Sequence, residues 1–92
     1  MLQQVYSIRD QKSNSFGPPF VATTHGEAER NFERLCRDEK TLIAQYPKDF
    51  DLYHLGSWST EDGKFDPLDA PYHLMQAIQL VKTPFPVEDL RS

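Results

Sequence analysis

The side chains with reactive potential in this sequence are His25, His54, His73, Cys36, Ser57 and Ser59, with carboxylates scattered from Asp49 to Asp69. Histidines and a thiol hold a metal or move protons only when spacing or fold brings them together. Here the three histidines fall in three separate elements, and no pair stands at ligand spacing. Ser57 and Ser59 flank Trp58 without the glycine frame of a nucleophile elbow. The four glycines are scattered and form no phosphate-cradling loop. Asp49, Asp51, Asp62 and Asp66 lack the ligand spacing and closing glutamate of a calcium loop. These residues point to a chain that binds rather than catalyses, with no metal and no cofactor.

Binding chemistry is better supplied. Tyr6, Phe16, Phe20, Tyr53, Trp58 and Phe65 lie on or beside predicted strands. Aromatic rings on a sheet stack unpaired bases, each worth about 1–3 kcal/mol. Arg9, Lys12, Arg30, Arg34 and Lys64 are available for phosphate contacts. The predicted nucleic-acid-binding set is Tyr6, Arg9, Lys12, Arg30, Arg34, Tyr53, Trp58 and Lys64. Rings in so small a domain also serve as core, and Phe32, Phe50 and Leu52 read that way. For Tyr6, with Arg9 and Lys12, core and binding roles stay equally open.

The net charge of −4 disfavours a sequence-blind coat on phosphates, although an acidic total can conceal a local basic groove. The charge is uneven. Residues 1–26 carry net +1, residues 27–40 net −1, residues 41–70 net −4, and residues 71–92 balance. The N-terminal part is the least hostile to an anion.

The elements that must position these groups centre on Tyr46–Pro67. Phe50, Leu52, Tyr53, Leu55 and Trp58 form a strand, Thr60–Gly63 a turn, and Lys64 and Phe65 begin the return. The Asp62-Gly63 pair is a hairpin signal, because glycine takes the positive φ such turns require. Leu52 and Leu55 cannot share a face of a regular strand. Both faces are therefore partly covered, or the strand bulges near Gly56; both are expected, with a helix over one face and the other open to a partner or ligand. Earlier in the chain, Leu2–Arg9 reads as a first strand, Asp10–Ser15 as a turn, Phe16–Phe20 as an extended loop and Phe20–Thr23 as an edge segment. Thr24 with Glu27 makes a capping box for a helix from His25 to Arg37, with Ala28, Phe32, Leu35 and Cys36 on one stripe. Its charged residues otherwise read as a solvated face. A helical turn fits Thr41–Ala44. Pro67–Pro71 reads as a turn, and the spacing of Leu74, Ala77, Ile78 and Val81 predicts a short helix over Tyr72–Val81.

Ninety-two residues make one domain, expected at 1–82 with a tail at 83–92. Cys36 is the only cysteine, which excludes an intramolecular disulfide and suits a reducing compartment. Met1–Asp10 lacks the basic start and long apolar run of a signal peptide, and no run approaches a membrane span. A soluble cytoplasmic protein is expected.

The order Tyr6-x-Ile8-x-Asp10-x-Lys12, then Phe16 and Pro19-Phe20, then Arg30-x-Phe32, carries a resemblance. It continues through Tyr46-Pro47-x-Asp49-Phe50-x-Leu52-Tyr53-x-Leu55-Gly56 and Asp62-Gly63-Lys64-Phe65. From about Val5 to Ile78 the chain resembles the small nonstructural protein of gokushovirus-type microviruses, the single-stranded DNA phages of bacteria. The resemblance implies a phage protein made in the infected cell, outside the capsid, and described as DNA-binding when single-stranded genomes are made or packaged. It supplies no site residue.

The expected fold is α+β, a small antiparallel sheet of three to four strands with one main helix packed across it. The expected function is non-enzymatic binding of single-stranded DNA during genome replication or packaging, in the host cytoplasm and as a homodimer. The alternative is an adaptor for a phage or host replication or packaging protein, using the acidic hairpin and the tail around Phe85.

Overall fold

The computed structural model describes residues 1–81. A long first strand, β1 (Leu2–Asp10), is followed by two short ones, β2 (Ser15–Phe16) and β3 (Phe20–Ala22). Both pair antiparallel with the same edge of β1, Arg9 facing Phe16 and Tyr6 facing Phe20. Between them lies Gly17-Pro18-Pro19, whose prolines have no N–H to give a ladder. The return edge is thus one strand position broken in the middle. The other edge of β1 pairs with β4 (Phe50–Ser59), which pairs in turn with β5 (Phe65–Gln76). Five strand segments therefore fill four positions of one antiparallel sheet, against the three to four strands expected.

Helix α1 (His25–Arg37) starts where the capping residues place it. Thr24 Oγ1 accepts from the Glu27 N–H at 3.1 Å. The Glu27 carboxylate reaches one residue further back than a standard capping box, accepting from the Thr23 N–H at 2.6 Å and the Thr23 hydroxyl at 2.8 Å. Thr24→Ala should lower stability by about 1 kcal/mol, read as a smaller urea midpoint at unchanged m-value. A midpoint equal to that of the parent would show that the cap carries no stability.

Two further helices are present among the described residues, α2 (Leu42–Gln45) and α3 (Ala77–Val81), with a 3-10 turn at Pro47–Asp49. The expectation of one main helix is corrected to a set of three. Ala28, Phe32 and Cys36 of α1 are buried, whereas Leu35, placed on the same stripe by its spacing, is exposed. The core joins Tyr6, Ala22, Ala28, Phe32, Cys36, Phe50, Leu52 and Ala77 on the helix-covered side of the sheet.

The region after the hairpin departs furthest from expectation. The proline-rich turn at 67–71 and the first half of the helix expected at 72–81 are strand, and the second half, Ala77–Val81, is helical. Two features of β5 explain the misreading. It is an edge strand, so Pro67 and Pro71 are tolerated. Its register also slips twice against β4: Leu68–Pro71 stand opposite the single residue Leu55, and Leu74 is an extra residue between the pairs Tyr53–His73 and Leu52–Met75. Such insertions break the period of two and imitate helical spacing. The tail expected at 83–92, Phe85 included, lies outside the described residues.

Candidate nucleic-acid interface

The site is built on the sheet face turned away from α1. Residues directly opposite in adjacent strands share a face, so the register defines both faces. On β1, Tyr6 and Ile8 pair with His54 and Leu52 on the covered side, whereas Ser7 and Arg9 pair with Tyr53 and Asp51 on the other. In a regular strand Tyr53 and Trp58 would point to opposite sides, being an odd number apart. A bulge prevents this. The register against β1 moves from Tyr6–His54 to Val5–Gly56, leaving Leu55 unpaired, and Gln3 then faces Trp58. Tyr53 and Trp58 thereby come to the same open face.

Their neighbours complete a band of rings. Tyr53 meets Phe16 edge-on with centroids 5.3 Å apart, and His73 on its other flank at 5.2 Å. Trp58 pairs across the hairpin with Phe65; the two are 36% and 49% exposed. The Trp58 indole N–H donates to the Gly63 carbonyl at 3.2 Å, which ties the ring to the hairpin turn. Two glycines make this geometry possible. Gly63 takes φ +74° in the turn. At Gly56 a Cβ would lie 2.4 Å from the Asp66 carbonyl oxygen and 2.8 Å from Pro67 Cα.

The predicted site residues divide. Tyr53 and Trp58 are on the open face, joined by Arg9, whose guanidinium donates to the Asn14 side-chain carbonyl. Lys64 adjoins Phe65 at the hairpin tip. Lys12, in the turn after β1, lines a groove of about 290 Å³ with Asp10, Leu42, Tyr46, Asp49 and Phe50, toward the helix-covered side rather than among the rings. Arg30 and Arg34 are on α1, across the sheet from the rings. Tyr6 is a correction: its ring is 0% exposed, packed on Phe20 and His54, and offers no surface to a base. Phe16 and Phe65, aromatics outside the predicted set, join the face through their pairing with Arg9 and Trp58. His73 was missed because it was assigned to a helix.

One carboxylate lies within the open face. Asp51 is 2% exposed and accepts from the Gln11 amide at 2.5 Å, with His73 Nε2 at 3.0 Å from its other oxygen. These contacts satisfy a buried acid that would otherwise be costly. On the covered side, Tyr6 Oη lies 2.6 Å from His25 Nδ1, and the His25 and His54 rings meet at 4.7 Å. His54 Nε2 is 2.9 Å from the Gln4 amide oxygen and 3.0 Å from the Gly56 carbonyl. Both are acceptors, so Nε2 carries the hydrogen.

Burial, and then the proximity of His25, lower the His54 pKa below its ordinary 6.5. The folded state therefore favours neutral His54. Its contribution to stability is full above the unfolded value and is lost as pH falls through 6.5 toward the lower folded value. The melting temperature should drop between pH 7 and 5, and His54→Gln should flatten that drop. A slope identical in the two proteins would remove His54 as its source.

Cys36 is buried, with its thiol pushed up to about 11 mainly by desolvation, so it stays a protonated core residue at neutral pH. Among the described residues no group of three His, Cys, Asp or Glu side chains could hold a metal. No helix there is long and apolar enough to cross a membrane.

Comparison with known proteins decides the family. The family model described as Phage ORF5 protein matches residues 3–80. The chain belongs to the Phage ORF5 protein family. Protein ORF5 of Chlamydia phage 1 is 36% identical over 70 residues, covering 71% of this chain and 72% of that relative. The resemblance read from the sequence to a phage nonstructural protein of gokushovirus type is thereby borne out. No solved structure matches, so the arrangement of rings in this ORF5 protein rests on its own geometry.

Proposed function

We propose that this phage ORF5 protein is a non-enzymatic single-stranded DNA-binding protein that acts in the host cytoplasm while the genome is replicated or packaged. The observation that carries this reading is the bulge at Leu55, which gathers Tyr53 and Trp58 with Phe16 and Phe65 on one open sheet face. Rings on one sheet face suit unstacked bases, whose π-faces are available only in a single strand. Arg9, Lys12 and Lys64 supply the phosphate contacts. Arg30 and Arg34, on the far side of the sheet, leave the contact set.

The deciding experiment titrates labelled single- and double-stranded oligonucleotides at low and moderate salt, following anisotropy and Trp58 fluorescence together. Saturable, salt-sensitive binding that prefers the single strand and quenches Trp58 is expected. Binding without a Trp58 change would move the site off the hairpin, and no binding at low salt would end the reading. Arg9→Ala with Lys12→Ala should weaken binding and reduce the slope of log affinity against log salt by up to about 1.4, at about 0.7 per lost phosphate contact on a single strand. An unchanged slope would remove both residues from the site.

The alternative is an adaptor for a phage or host replication or packaging protein. Its support is the acidic hairpin, where Glu61, Asp62, Asp66 and Asp69 outnumber Lys64 and are all exposed. A pull-down from infected cells that recovers no protein partner would count against it.

A further inference from the structure

The hairpin arm has a second side. With the rings of Trp58 and Phe65 on the open face, the opposite side carries the cross-strand rows Leu2–Ser59 and Gln4–Ser57–Asp66. Tyr72, which pairs with His54, continues the same side. No part of the described chain covers this end: Leu2 and Tyr72 are 60% and 61% exposed. This side of the arm is therefore polar, with Asp66 on it and two exposed apolar side chains, Leu2 and Tyr72, at its margins. Asp66 and Asp69 make no ion pair among the described residues.

The complement of that pattern lies on α1. Glu33 is occupied by Arg37, with Nη2 2.6 Å from Oε2. Arg30 and Arg34 are exposed and make no ion pair among the described residues. Beside them Phe20, Asn31, Arg34 and Leu35 line a groove of about 350 Å³ with largely apolar walls. A groove rimmed by exposed arginines thus stands on the same chain as an arm that carries exposed carboxylates beside Leu2 and Tyr72.

We propose that the α1-facing side of the β4–β5 arm docks on the Phe20–Leu35 groove of a second copy of this chain, with Asp66 and Asp69 against Arg30 and Arg34. Opposite charge at the rim orients such an encounter and sets its register, while Leu2 and Tyr72 against the apolar walls of the groove supply the burial. The two surfaces differ, so a closed dimer forms when a two-fold axis repeats the arm-to-helix contact in both directions. The contact leaves the ring-bearing faces of both copies free. It stands whether or not those faces bind DNA.

The test is sedimentation velocity on the full chain, from low to high micromolar concentration, at low and moderate salt. A concentration-dependent dimer that weakens with salt is expected. Asp66→Lys with Asp69→Lys should weaken it at least about tenfold, and Arg30→Glu with Arg34→Glu should do the same, because like charges then meet at the rim. Mixing the two reversed proteins gives a heterodimer in which both contacts again join opposite charges, one lysine to glutamate and one aspartate to arginine, and combining all four substitutions in one chain restores both contacts in a homodimer. Dimerisation of the fourfold variant should return to within about threefold of the parent. Circular dichroism and melting temperature establish that each variant is folded. A monomer at every concentration would overturn the proposal, as would a dimer indifferent to either reversal, or reversals that weaken it without rescue by the fourfold variant.

Discussion

Replacing Tyr53 and Trp58 together by alanine is expected to weaken single-stranded DNA binding at least about thirtyfold. Each stacked base is worth about 1–3 kcal/mol, so two lost platforms remove about 2–6 kcal/mol. The lower bound alone is about thirtyfold in affinity. The rings carry no charge, so the salt slope should stay that of the parent while the whole titration moves to weaker binding. That pairing of outcomes separates stacking from phosphate contact, because Arg9→Ala with Lys12→Ala should weaken binding and lower the salt slope as well. Tyr53→Phe with Trp58→Phe keeps two π-faces and should keep most of the affinity. Tyr53 is half-buried between Phe16 and His73, so its truncation also costs packing. A folded double variant, verified by circular dichroism, is the one to titrate. Affinity equal to that of the parent in such a variant would end the stacking reading.

What could be read before folding was what short-range chemistry decides. Thr24 and Glu27 announce α1 because a cap is satisfied within one turn. Asp62-Gly63 announces the hairpin because a positive φ belongs to the turn itself. The failure of alternation between Leu52 and Leu55 pointed to a bulge, and the bulge lies at Leu55. What escaped depends on a neighbouring strand. Period two tells which residues share a face, but not which face is covered. The sequence therefore leaves Tyr6 open between core and site, and it is core because Phe20, His25 and His54 close around it. The strand through His73 escaped because the extra residues at Leu68–Pro71 and Leu74 are visible only against β4. Placement of Arg30 and Arg34 away from the rings likewise follows from which side of the sheet α1 covers, and no local pattern states that.

The second large effect is expected from Gly56→Ala, which removes no ring and no charge. The new Cβ would lie 2.4 Å from the Asp66 carbonyl oxygen and 2.8 Å from Pro67 Cα, and both contacts are to backbone. A side chain can rotate away from an intruding methyl; a paired strand must shift. Overpacking of this kind typically costs about 1–3 kcal/mol, a large share of the stability of a small domain. The damage should be local at first. Amide exchange at Trp58, Ser59 and Asp66 should accelerate, Trp58 emission should shift to the red, and the amides of α1 should keep their protection. Unchanged melting temperature and unchanged exchange along the arm would show that β4 and β5 do not approach so closely. The functional consequence distinguishes ring content from ring placement. Trp58 and Phe65 sit beyond the bulge and Tyr53 and Phe16 before it, so a displaced arm leaves every ring present but breaks their common face. Weaker DNA binding by folded Gly56→Ala would then be a loss of alignment alone, because the chemical groups available to a base are those of the parent. Binding equal to that of the parent, with the arm demonstrably loosened, would place the bases on Tyr53 and Phe16 and take Trp58 out of the site.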